Sequence, residues 1–153
     1  MSDASPTPTT QLSPLGQAAQ RDGIVLTQML IVADVKRSVS FYRDVLGATV
    51  LREQSPAMLR FHNGWLVINS GGGPTPDKPE VTLTPPEDFN RVSTLMNVRV
   101  ADIATVYREW NERGAQFLTE PLDNHGAEQR CYLRDPDGYL IELGATTPRA
   151  VGA

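Results

Sequence analysis

Cys131-Tyr132-Leu133-Arg134-Asp135-Pro136-Asp137-Gly138-Tyr139-Leu140-Ile141-Glu142-Leu143-Gly144 sets two β-type runs on either side of Asp-Pro-Asp-Gly. Proline fixes one φ angle and glycine permits a positive one, so the chain must turn back on itself, and the stretch predicts a tight β-hairpin. Side chains alternate along the second arm, which turns Glu142 away from the face that carries Ile141 and Leu143. A carboxylate so placed is a ligand, a base or a solvated edge.

Working outward, the hairpin has an echo in the first half of the chain. Gly64-Trp65-Leu66-Val67-Ile68-Asn69 lines up with Gly138 to Leu143 at an offset of 74, and Val32-Ala33-Asp34 with Val100-Ala101-Asp102 at an offset of 68. Each Asp is a plausible N-cap. In the first copy a strand from Ile24 to Val32 feeds a helix marked by Val35, Val39, Tyr42, Val45 and Leu46 and ended by Gly47. Short strands then read at 48–53, 58–61 and 65–69, with His62-Asn63-Gly64 as a hairpin turn. In the second copy a strand over 92–100 feeds a helix marked by Ile103, Val106 and Trp110 and ended by Gly114. Residues 116–118, a polar loop over 120–129 and the hairpin follow. The reading is an α+β domain over 24–145, two tandem βαβββ modules (about 24–70 and 92–145) forming an open, cleft-lined sheet. Residues 71–91 are a Gly- and Pro-rich linker, within which Val81-Thr82-Leu83 reads as an added edge strand. Gly71-Gly72-Gly73 lacks the Gly-Lys-Ser/Thr of a phosphate loop. Residues 1–23 read as a disordered N-terminal tail and 146–153 as a C-terminal one.

With 153 residues and a formal net charge of -4, the chain gives no electrostatic reason to expect nucleic acid or an anionic membrane as partner. No signal-peptide core or membrane-crossing stretch is evident, and the single cysteine, Cys131, suits a cytoplasmic protein with a buried, inert thiol. Alternation assigns Leu26, Leu30, Val32, Val98 and Val100 to the helix side of the sheets. It leaves Thr27, Met29, Ile31, Leu95, Asn97 and Arg99 lining a cleft, joined by Leu66, Ile68, Leu140 and Glu142. Glu142 is a candidate base, or a strand residue paired with Arg99. Arg99 alternatively receives an anionic ligand group, and His125 is a candidate lid residue. Trp65, Tyr132 and Phe61 are strand aromatics, as core, interface or the wall of a site for a planar ligand.

The run Leu30-Ile31-Val32-Ala33-Asp34-Val35, with Ser40-Phe41-Tyr42-Arg43-Asp44-Val45-Leu46-Gly47 and the Asp135 to Leu143 hairpin, resembles the vicinal oxygen chelate superfamily. That superfamily includes glyoxalase I, extradiol dioxygenases and the bleomycin-resistance binding proteins. The resemblance spans about Val25 to Gly144 and implies four metal-ligand positions, here Thr27, Ile68, Leu95 and Glu142. Three of them hold no suitable donor, so the expectation is no metal and no cofactor. The resemblance thus implies a metal-free binder of a small organic molecule in an apolar cleft, as a homodimer. The alternative is a lyase, isomerase or dioxygenase using Glu142 as base or as anchor of a divalent metal. A further alternative is an interaction module working through the N-terminal tail.

Overall fold

The computed structural model describes residues 11–148. Both expected modules are present. The first contains β1 (Gln28–Ile31), α2 (Val35–Asp44), β2 (Thr49–Arg52), β3 (Ala57–Phe61) and β4 (Gly64–Asn69). The second contains β5 (Met96–Arg99), α3 (Ile103–Glu112), β6 (Gln116–Phe117), β7 (Leu122–Asn124), β8 (Glu128–Arg134) and β9 (Leu140–Thr146). The Asp34 and Asp102 carboxylates accept from the backbone N–H groups of Arg37 and Thr105, which fixes where each helix begins. Gly47 and Gly114, both at positive φ, turn the chain back towards the sheet after each helix.

The strands form two sheets, ordered β1-β4-β3-β2 and β5-β9-β8-β6, with β7 paired to β8. In each, the first strand runs parallel to the last: Leu30 stands opposite Ile68, and Val98 opposite Leu143. One core lies on the helix side of both sheets and joins Leu30, Tyr42, Leu59 and Ile68 to Trp110, Leu133, Ile141 and Leu143. Burial of each of these large side chains is worth roughly 1.5–3 kcal/mol, so this core is a main source of the fold's stability.

Several expectations are corrected. Residues 14–22 form a helix, α1 (Pro14–Asp22), where the sequence reads as disordered tail. Ser13 caps it and Pro14 is pre-set for its first turn. Residues 1–10 and 149–153 lie outside the described residues. The C-terminal tail is also shortened, because β9 continues through Thr146. The first strand is paired only from Gln28, leaving 24–27 outside any strand among the described residues, with Leu26 exposed rather than packed under α2. Val81–Leu83 is no strand; a single bridge joins Gly72 to Leu83. The polar loop folds as the β7–β8 hairpin. Leu66 and Ile68 face the helix side, because parallel pairing sets Ile68 beside the core residue Leu30. Alternation misassigns β4 because Leu66, Val67 and Ile68 are all buried, leaving no polar face to read.

The Asp135-Pro136-Asp137-Gly138 turn does more than reverse the chain. It docks into the first module where β1 meets α2. Asp137 accepts from the Ala33 backbone N–H at 2.8 Å, from Arg37 at 3.2 Å and from Ser38 Oγ at 3.2 Å. Tyr42 donates its hydroxyl hydrogen to Asp135 at 2.8 Å, and the Tyr139 hydroxyl spans the backbone N–H and carbonyl of Ile31. Both carboxylates are buried, and each is satisfied by donors from its own turn or from the facing module.

Candidate functional site

Glu142 lies on the face of the second sheet turned away from the core, as alternation predicts, opposite Asn97 of β5 and Tyr132 of β8. Both neighbours donate to it: Asn97 Nδ2 to Oε1 at 2.8 Å and the Tyr132 hydroxyl to Oε2 at 2.9 Å. Arg99 lies 3.8 Å from Oε1, but its shorter bonds run to Glu128 at 2.7 Å and to Thr146 at 3.3 Å. Gly144 makes this possible, since a Cβ there would fall on the guanidinium that crosses the strand. Arg99, then Asn124, holds the Glu128 carboxyl below its usual range, while burial, followed by the bond to Glu142, pushes the Tyr132 phenol up.

This arrangement is a satisfied ionic network. Both oxygens of Glu142 are engaged by donors, which leaves it poorly placed to take a proton from a substrate. A divalent ion would meet one carboxylate, an amide nitrogen, a phenol and a cation, a poor donor set. In the first module, the pairing of Met29 with Val67 mirrors that of Asn97 with Glu142, so Val67, rather than Ile68, is the structural counterpart of Glu142. Either residue is aliphatic. Among the described residues, no three His, Cys, Asp or Glu side chains converge to hold an ion. His125 sits exposed at the tip of the β7–β8 hairpin with φ 55°. Strand pairing sets its end of the hairpin four residues along β9 from Glu142, on the order of 13 Å away.

A larger hollow lies elsewhere. A cavity of about 670 Å³ lies between the modules, bounded by the start of β1 and the β3–β4 turn on one side and by β5 and α3 on the other. Of the residues expected to line a cleft, Thr27, Leu66, Leu95, Asn97 and Arg99 line this cavity, while Met29, Ile68, Leu140 and Glu142 do not. Its aromatic walls are Phe61, Trp65 and Trp110, with the Phe61 and Trp110 rings 6.2 Å apart. His62, Glu109 and Arg113 add polar groups.

The repeat explains why the hollow is there. At the offset of 68, Ser38 and Tyr42 on α2 correspond to Val106 and Trp110 on α3, and Val45 corresponds to Arg113. Arg113 donates to the Val45 carbonyl at 3.3 Å, so the two helix ends meet at the point that relates the modules. On one flank, the turn at 135–138 fills the space against Ser38 and Tyr42. On the other, the shorter β3–β4 turn carries His62 and Asn63 in place of two aspartates, and Val106 and Trp110 line the cavity. Sequence reading missed Trp110 and Val106 as site residues, although the offset that pairs them with Tyr42 and Ser38 was the signal that marks them.

Comparison with known proteins agrees with this architecture. The chain is 27% identical over 131 residues to a probable lactoylglutathione lyase of Synechocystis sp., covering 82% of this chain and 97% of that protein. A glyoxalase/bleomycin resistance protein/dioxygenase from Alicyclobacillus acidocaldarius superposes with a TM-score of 0.62 at 17% identity, covering 82% of this chain and 92% of that one. TnmS3, an antibiotic binding protein from Streptomyces sp. CB03234, gives a TM-score of 0.57 at 19% identity, covering 80% and 95%. Because the family's own model matches residues 24–143 and the tandem βαβββ modules are both in place, the chain belongs to the Glyoxalase/Bleomycin resistance protein/Dioxygenase superfamily.

Proposed function

We propose that this chain binds a small organic molecule without a metal, in the aromatic cavity between its modules, and that it works as a homodimer. The cavity carries the reading: at about 670 Å³ it falls within the roughly 300–1,000 Å³ range of small-molecule sites. Its walls combine the apolar and aromatic surface of Phe61, Trp65, Leu66 and Trp110 with polar groups, among them Asn97, Glu109 and Arg113, that can orient a ligand. Supporting this, the one carboxylate at a family metal position is tied to Asn97 and Tyr132, with a guanidinium 3.8 Å away. The homodimer is supported by segment 24–27, which pairs with no strand among the described residues and whose Ile24 and Leu26 are 89% and 90% exposed.

Both tryptophans of the chain line the cavity, so intrinsic fluorescence reports its occupancy directly. Titration with planar aromatic compounds is expected to give saturable quenching that Glu142→Ala leaves unchanged. Chelated protein reloaded with nickel, zinc or manganese is expected to retain well under one ion per chain. Stoichiometric metal that Glu142→Ala abolishes would overturn the proposal. So would turnover of a 2-oxoaldehyde hemithioacetal, an acyl thioester or a catechol that Glu142→Gln abolishes, which would establish a lyase, isomerase or dioxygenase instead.

A further inference from the structure

We infer that the intermodule cavity selects a planar aromatic monocarboxylate, whose carboxylate accepts a hydrogen bond from the Trp110 indole N–H; this rests on the cavity being the ligand site. Trp110 is 5% exposed, yet among the described residues its N–H meets no protein acceptor and is not sealed from solvent. Trp110 lines the cavity, and we take that donor to open onto it. A donor held beside aromatic walls and left without a protein acceptor is satisfied by a ligand oxygen at little cost in reorganisation.

The other half of the molecule indicates which oxygen. Tyr42, the counterpart of Trp110, donates to the carboxylate of Asp135. Asp135 has no acidic counterpart beside α3, where Val106 and Trp110 line the cavity, so a ligand carboxylate there would reproduce in the second flank the bond that closes the first. Charge agrees with this. Arg113, the residue that caps the C-terminus of α3, also lines the cavity, and it donates to the Val45 carbonyl, with no carboxylate partner among the described residues. Glu109, the sole acidic side chain on the lining, lies one turn from Arg113 and disfavours a second anionic group. Phe61 and Trp65 supply aromatic surface for the ring.

The probes are 2-naphthoate, 2-ethylnaphthalene and naphthalene-2,6-dicarboxylate, measured against the full chain by calorimetry and by the indole N–H resonances in nitrogen-15 correlation spectra. 2-Naphthoate is expected to bind about tenfold more tightly than either competitor and to move one of the two indole resonances downfield, the one that Trp110→Phe removes. Trp110→Phe is expected to lower 2-naphthoate affinity about tenfold and leave that of 2-ethylnaphthalene unchanged. Arg113→Gln, at the protein surface, supplies a second variant independent of core packing and is expected to weaken 2-naphthoate alone. Equal affinity for 2-naphthoate and 2-ethylnaphthalene, or binding of 2-naphthoate with neither indole resonance displaced, would overturn the inference while leaving the cavity a ligand site. Failure of all three probes to bind would overturn both.

Discussion

Asp135 accepts from the backbone N–H groups of Asp137 and Tyr139 and from the Tyr42 hydroxyl, at 3.0, 2.9 and 2.8 Å. Even so, burial outweighs these bonds and raises its pKa. A carboxyl whose folded pKa is raised adds stability below its unfolded pKa, and that contribution is lost as pH rises through the folded value. Asp135→Asn removes the titration and keeps a side chain of the same shape. Urea unfolding from pH 3 to pH 7 is therefore expected to show the wild type losing stability relative to this variant as pH rises past the usual carboxylate range. A flat difference would mean that Asp135 keeps its ordinary pKa. Cys131 shows burial acting on a thiol, which is pushed up to about 11 in a strand that is core on that face. Native protein is expected to react with an aromatic disulfide reagent only after denaturant is added. Rapid reaction in buffer alone would contradict that burial.

Among the elements, the 135–138 turn tests how module docking depends on backbone shape. Gly138 has φ 90°, and a Cβ there would press into the Phe89 ring, so Gly138→Ala meets both backbone strain and a rigid neighbour. A loss of about 2 kcal/mol is expected by chemical denaturation. A change below about 0.5 kcal/mol would show that the turn relaxes freely. The hairpin itself, the two Asp-capped helices and the repeat were legible because turn chemistry and capping are local. What the turn docks against was not. Asp135 and Asp137 read as turn residues, and their partners Ala33, Ser38 and Tyr42 lie about a hundred positions away. The N-terminal helix was missed because Ser13-Pro14, which starts it, has the composition of a tail. β4 was misread because apolar residues on both faces erase the period that tells them apart. Of the residues expected in a cleft, Thr27, Leu95, Asn97 and Arg99 fall on the lining of this cavity, while the cavity itself arises from a difference between the halves that is visible only once they are superposed.

For the molecule as a whole, two related modules meet at their helix ends, with one flank closed by the turn and the other hollow. What remains unpaired lies along the strand edges. β1 and β5 each end a sheet, and only part of the outer edge of β1 is engaged, at Ile31 by the Tyr139 hydroxyl. Just before β1, residues 24–27 pair with no strand among the described residues. There Ile24 and Leu26 are 89% and 90% exposed, and nearby Met29 is 48% exposed. An unpaired β-type edge bearing large apolar side chains favours association, and in a symmetric pair each copy can offer both the segment and an edge to receive it. Sedimentation at micromolar concentration is expected to give the mass of two chains. Replacing Ile24 and Leu26 together by Glu is expected to give the mass of one, because two carboxylates cannot be buried there unpaired. Neither side chain contributes to the shared core, so the variant's far-ultraviolet circular dichroism should match the wild type. Wild-type protein that sediments as a single chain throughout this range would remove the homodimer and leave the exposed pair unexplained.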